Sequence, residues 1–144
     1  MTFNRILTSA TLALLIACAA PVQADGNRVN LQQYGVDNGL GAAQQGYLNR
    51  LSVTQDGWAN TAISTQDGSR NRTVLGQTGY NNNIVSTQAG RCNVTGIAQF
   101  GRNNSVDAAQ NGACNALGVI QTGTGNRAIA RQNGSGNIAV IVQD

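Results

Sequence analysis

Glutamine recurs in this chain at a fixed step of eleven, at Gln33, Gln44, Gln55, Gln66, Gln77, Gln88, Gln99, Gln110, Gln121, Gln132 and Gln143. All but the last are followed two residues on by glycine, at Gly35, Gly46, Gly57, Gly68, Gly79, Gly90, Gly101, Gly112, Gly123 and Gly134. Asparagine keeps the same step at Asn27, Asn38, Asn49, Asn60, Asn71, Asn82, Asn93, Asn104, Asn115, Asn126 and Asn137. The unit Q-x-G-x-x-N-x-h-x-h-x-Q runs through the chain without an insertion. A sequence so strictly periodic builds its structure by stacking one small element on itself.

Within a unit, residues alternate from asparagine to glutamine, so that Asn49, Leu51, Val53 and Gln55 share one face. Period two predicts a strand. The four residues that follow, such as Asp56-Gly57-Trp58-Ala59, hold a glycine at a fixed place and predict a tight turn. An eleven-residue period also fits a right-handed coiled coil, which the eighteen glycines and the alternation rule out.

The inward residues carry a longer period. Odd-numbered strands present the larger pairs Val29/Leu31, Leu51/Val53, Thr73/Leu75, Thr95/Ile97, Leu117/Val119 and Ala139/Ile141. Even-numbered strands present Leu40/Ala42, Ala62/Ser64, Ile84/Ser86, Val106/Ala108 and Ala128/Ala130. Two closely packed sheets need that complementarity, which makes the structural unit a 22-residue rung of strand, turn, strand, turn. The predicted fold is all-β: a two-sheet parallel cross-β solenoid of about five and a half rungs, roughly 26 Å tall at a rung spacing of ~4.8 Å. Inward amides are costly unless partnered, and stacking identical amides 22 residues apart lets each donate to one neighbour and accept from the other.

Residues 1–24 read as a signal peptide: Arg5, an apolar run from Ile6 to Ala17, and a small-residue site ending at Ala24. The solenoid is then residues 25–144, exported, and the apolar run is shorter than the ~20 residues a spanning helix needs. Leu15-Ile16-Ala17-Cys18 also fits a lipobox, the alternative in which a lipidated Cys18 tethers the product to a membrane. The repeat occupies nearly all of residues 25–144 and shows no cap at either end, so strand pairing with a further copy is the expected use of the open edges.

The spacing in Leu51-Ser52-Val53-Thr54-Gln55-Asp56-Gly57-Trp58-Ala59-Asn60-Thr61-Ala62-Ile63-Ser64-Thr65-Gln66, and again from Gln121 to Gln132, resembles the curlin repeat of curli fibre subunits, S-x5-Q-x-G-x2-N-x-A-x3-Q. The resemblance covers all of residues 25–144. It implies an extracellular functional amyloid, a fimbrium-like fibre of the biofilm matrix and of surface adhesion. It also implies as partners other curlin subunits, a dedicated secretion channel and accessory proteins. Asparagine begins the odd strands where the family often has serine, and a glycine-rich leader is reduced to Asp25-Gly26. A major subunit and a nucleator, lipid-anchored or free, both fit.

Several features stand outside the repeat. Cys92 and Cys114 are 22 residues apart and fall at one corner of adjacent rungs, where a disulfide, stacked reduced thiols or metal chemistry are the alternatives; the rung spacing and an oxidising compartment favour the bond. Trp58, Tyr80 and Arg102 share one corner, which suits ring stacking and a cation–π contact; that edge either offers a sticky surface for carbohydrate or neighbouring filaments or simply packs the corner. Arg28, Arg50 and Arg72 form an outward column of like charge that restrains premature assembly or binds an anionic surface. The final strand is apolar outward as well, at Ile138, Val140 and Val142, and marks an assembly end. A next copy completing the half rung would set Val29 and Leu31 opposite another strand of the larger set.

A net charge of +3 gives no reason to expect nucleic acid. Without histidine or glutamate, and without a break in the repeat to make a cleft, the sequence offers no catalytic, cofactor-binding or metal site, and an enzyme is not expected. A monomeric solenoid that binds ice or a carbohydrate surface is the alternative to a fibre subunit. It would want a regular outward column, whereas Ser52, Ile63, Val74, Val85 and Gly96 are irregular.

Overall fold

The computed structural model describes residues 25–144. Residues 1–24, read from sequence as a signal peptide, and with them Cys18, lie outside the described residues. Eleven strands follow one another: β1 (Arg28–Val36), β2 (Gly39–Tyr47), β3 (Arg50–Trp58), β4 (Thr61–Ser69), β5 (Arg72–Tyr80), β6 (Asn83–Arg91), β7 (Val94–Arg102), β8 (Ser105–Ala113), β9 (Ala116–Thr124), β10 (Arg127–Ser135) and β11 (Ile138–Gln143). Odd strands form a six-stranded sheet and even strands a five-stranded one, each strand pairing in parallel with the strand two later. The pairing is in register at a step of 22, as in Leu51 beside Thr73 and Gln55 beside Gln77. The chain is thus a two-sheet parallel β-solenoid with a 22-residue rung.

The predicted face alternation holds. Leu51, Val53, Leu75, Ile97, Leu117 and Val119 from the odd sheet pack against Ala62, Ile84, Val106, Ala108, Ala128 and Ala130 from the even sheet. Large against small is what lets the two sheets close without a void.

The partition of the unit differs from seven residues of strand and four of turn. Nine residues pair with the neighbouring rung in every strand except β11, and only two, such as Ala59-Asn60, lie between strands. The ladder runs through the arc because each turn glycine bends the chain without breaking its pairing. All ten turn glycines have positive φ, from 87° at Gly46 to 122° at Gly79. At Gly79 an added Cβ would overlap the carbonyl oxygen of Gly101 in the next rung, so the column demands glycine for space as well as for backbone angle.

A second left-handed column stands immediately before the asparagines. Asp37, Leu48, Ala59, Arg70, Asn81, Cys92, Asn103 and Cys114 all have φ between 53° and 62°, and Gly26, Gly125 and Gly136 complete the series. A side chain in this region costs roughly 1–2 kcal/mol, and the corner is held by hydrogen bonds on both sides. Ala59 N–H donates to the Val36 carbonyl at 3.0 Å, and Asn60 N–H donates to Asn38 Oδ1 at 3.1 Å.

Candidate functional site: the open ends of the stack

The buried amides set the chemistry of the ends. In the odd sheet Nε2 of Gln33 donates to Oε1 of Gln55, Gln55 to Gln77, Gln77 to Gln99, Gln99 to Gln121 and Gln121 to Gln143, at 2.6 to 3.0 Å. In the even sheet Gln44 donates to Gln66, Gln66 to Gln88, Gln88 to Gln110 and Gln110 to Gln132, at 2.6 to 2.9 Å. Every link points toward the C-terminal rung. The other N–H of the same nitrogen reaches across the core, as from Gln55 to the Gly39 carbonyl at 3.0 Å and from Gln77 to the Thr61 carbonyl at 3.0 Å.

Asparagine runs the opposite way. The backbone N–H of Asn49 donates down to Asn27 Oδ1 at 2.8 Å, Asn71 to Asn49 at 3.0 Å and Asn137 to Asn115 at 3.0 Å. Its Nδ2 closes the corner on the carbonyls of its own arc and of the arc one rung above, as from Asn71 to Asp67 at 3.1 Å and to Gly90 at 3.0 Å. Each internal amide is therefore satisfied by its rung neighbours, which is how Gln55, Gln66, Asn60 and Asn71 can be wholly buried.

Two threonines extend the network across the core. Thr73 Oγ1 accepts from Gln66 Nε2 at 3.2 Å and donates to Gln88 Oε1 at 2.8 Å; Thr95 repeats this between Gln88, at 3.1 Å, and Gln110, at 2.8 Å. In the sequence these threonines stand out only as members of the larger inward set. Their position opposite the glutamines of the even strands was the available signal.

At the ends the pattern stops with its bonding unfinished. Strands β1 and β2 bound one end of the two sheets, and β10 and β11 bound the other. Val29 and Leu31 are 49% and 42% exposed, whereas Leu51 and Val53 one rung higher are 2% and 1% exposed. Among the described residues nothing covers this end. At the other, Ala139 and Ile141 are half-buried, and Ile138, Val140 and Val142 stand open at 78%, 71% and 64% exposure. Ile138, Val140 and Val142 thus lie on a strand that is terminal among the described residues, apolar outward and incompletely covered inward.

The remaining candidates fall in register as expected, with two differences. Arg28, Arg50 and Arg72 are consecutive in one exposed column followed by Val94. None of them is in the one ion pair among the described residues, Arg131 with Asp107 at 2.8 Å. Trp58, Tyr80 and Arg102 stack at one corner and line a shallow groove with Gly57, Gly79 and Gly101. The cation–π contact lies at the opposite corner, where Arg70 sits 5.9 Å from the centre of the Tyr47 ring. Cys92 and Cys114 occupy one left-handed column in adjacent rungs as exposed free thiols. The Cys114 thiol is held above its ordinary range, first by its hydrogen bond with Cys92 and then by desolvation and the Cys92 charge, with Arg91 opposing. The described residues hold no cluster of three or more metal-ligating side chains. No protein-family model and no curated protein matches the chain.

Proposed function

We propose that this chain is a secreted structural subunit that assembles with copies of itself into extracellular cross-β fibres of the curli type, serving the biofilm matrix and surface adhesion. One observation carries the reading: both ends of the stack expose in-phase, unpaired strand edges, and the amides left open at one end complement those at the other. An edge of this kind templates the next strand. Export through an outer-membrane channel, with accessory proteins that keep the chain soluble before it reaches the cell surface, belongs to the same proposal, as does co-assembly with other curlin subunits.

The test uses purified residues 25–144. Sedimentable polymer that binds thioflavin, and a lag phase abolished by preformed fragments, are the expected results. A chain that stays monomeric and shows thermal hysteresis instead would favour an ice-binding solenoid. Truncation before Asn137 is expected to slow elongation or seeding, because it removes the apolar edge of β11.

A further inference from the structure

The described residues hold an odd number of strands, eleven, so the stack they form finishes on half a rung. Above β10 there is a vacant strand place, one strand wide, walled on one side by Ala139 and Ile141 of β11. Resting on the fibre reading, we infer that copies add head to tail with each copy turned by about half a turn around the fibre axis. In this arrangement β1 of the incoming copy fills the place above β10, β2 of the incoming copy pairs with β11, and the two sheets exchange roles from one copy to the next.

The backbone already contains this operation. Successive strands within the chain repeat the same positive-φ positions and the same amide bonds every eleven residues while alternating sheets. An incoming copy placed by one further step of that kind meets a surface identical in backbone to the one each strand meets inside the stack.

Hydrogen bonding matches at the junction. Gln132 and Gln143 each keep a side-chain N–H with no rung above to receive it, donating only to the carbonyls of Ala116 and Arg127. Gln33 and Gln44 present Oε1 with no donor below. The half-turn sets Gln33 over Gln132 and Gln44 over Gln143, so both glutamine columns continue in their existing direction. Asn126 and Asn137 likewise offer Oδ1 to the backbone N–H of Asn27 and Asn38 of the incoming copy. A reversed copy would set donor against donor.

Side-chain size selects the half-turn over the arrangement that keeps each sheet continuous. The half-turn places the outward Gly39, Gly41 and Ala43 of the incoming β2 beside Ile138, Val140 and Val142. The chain already uses a branched side chain next to a bare backbone: an added Cβ at Gly41 would sit 3.7 Å from Ile63 Cγ1, and one at Gly118 would sit 3.8 Å from Val140 Cγ2. Inward, Val29 and Leu31 would settle on the small Ala128 and Ala130, facing Ala139 and Ile141, where one methyl offsets one branched chain. Keeping the sheets continuous would instead set Arg28, Asn30 and Gln32 beside the apolar triad. It would also leave the place above β10 empty, with two unpaired edges facing each other across it.

Spin labels on residues 25–144 carrying Cys92→Ser and Cys114→Ser decide the matter. Within one copy, residue 30 is more than ~20 Å along the axis from both 129 and 140, counting strands at ~4.8 Å per rung. The Asn30→Cys/Ile129→Cys double variant is expected to be free of dipolar broadening as monomer and strongly broadened in fibres. The Asn30→Cys/Val140→Cys variant is expected to stay sharp in both. The reverse result, or broadening in neither fibre, overturns the inference while leaving the fibre reading intact. Helical symmetry of fibres of the unsubstituted chain gives a second readout that needs no variant. A rise of ~26 Å per copy with near half-turn rotation is expected, and ~29 Å without it overturns the proposal. If the unsubstituted chain forms no sedimentable polymer alone, the fibre reading fails and this inference with it.

Discussion

Thr73 Oγ1 donates to Oε1 of Gln88 at 2.8 Å, tying the odd sheet to a glutamine of the even sheet across the core. Gln88 also accepts from Gln66 at 2.9 Å and donates to Gln110, Thr95 and the Arg72 carbonyl at 2.9, 3.1 and 3.2 Å. The two side chains should therefore differ sharply in what their loss costs. Thr73→Val removes one hydroxyl whose neighbours keep other bonds, at about 1 kcal/mol, whereas Gln88→Leu orphans several buried groups and costs about 3 kcal/mol or more. Urea midpoints of the monomeric chain, taken before assembly, check the ratio.

Ser64 and Ser86 stack on each other in the even sheet with buried hydroxyls that have no hydrogen-bond partner. Replacing either by alanine removes an unsatisfied polar atom and adds nothing to the core volume. Ser64→Ala is expected to raise stability by up to about 1 kcal/mol, read as a higher urea midpoint at unchanged slope.

The two glycine environments make a matched pair. Gly79 has φ of 122° and no room for a Cβ against the next rung, while Gly96 has nothing within 4 Å of one and no positive φ. Gly79→Ala should cost several kcal/mol, beyond the ~1 kcal/mol of a typical substitution, and Gly96→Ala should be neutral or slightly stabilising. Ala59, at φ 55°, is the converse case, and Ala59→Gly is expected to stabilise by up to about 1 kcal/mol. Thermal unfolding of the three variants side by side gives the order.

Cys114 should react slowly with alkylating reagents for an exposed thiol, because its hydrogen bond with Cys92 favours the protonated form. The thiolate is the nucleophile, so a raised pKa moves the rate profile to higher pH. In Cys92→Ala the first cause is gone and the midpoint of the Cys114 profile should fall; mass-resolved alkylation rates between pH 7 and 10 test this. An unmoved midpoint would place the cause elsewhere.

Arg50 stands between Arg28 and Arg72 in one column. If the column restrains assembly, Arg50→Ser shortens the lag of fibre formation, and the difference from the unsubstituted chain shrinks toward zero at ~1 M salt, where the screening length falls to ~3 Å. A shortening that persists at high salt would speak against charge as the cause.

What could be read in the sequence was whatever the stacking forces to be the same in every rung. Gln55, Asn60 and Gly57 each depend on the rung above or below for a bond or for space, so their columns hold one residue type and announce themselves by spacing. The column before the asparagines is under equal backbone constraint, yet it holds Asp37, Leu48, Ala59, Arg70 and Cys92. Its side chains point into open corners, so only the backbone is selected there; the faint trace is glycine at 26, 125 and 136 and asparagine at 81 and 103. The nine-residue strands were obscured for a related reason. Glycine usually signals the end of pairing, and here its carbonyl is held within the ladder by the asparagine of the same corner one rung below, as Gly90 is by Asn71.

The one-way glutamine columns have an electrical consequence. Backbone dipoles in a sheet alternate along each strand and largely cancel, but the side-chain amides from Gln33 to Gln143 and from Gln44 to Gln132 all point the same way. They add as the peptide units of a helix do, giving the glutamine columns a positive end at β10 and β11 and a negative end at β1 and β2, partly offset by the asparagine Oδ1 atoms, which point the other way. A filament of copies in one orientation would carry that polarity along its whole length, so its two tips would differ in charge character although every subunit in it is the same.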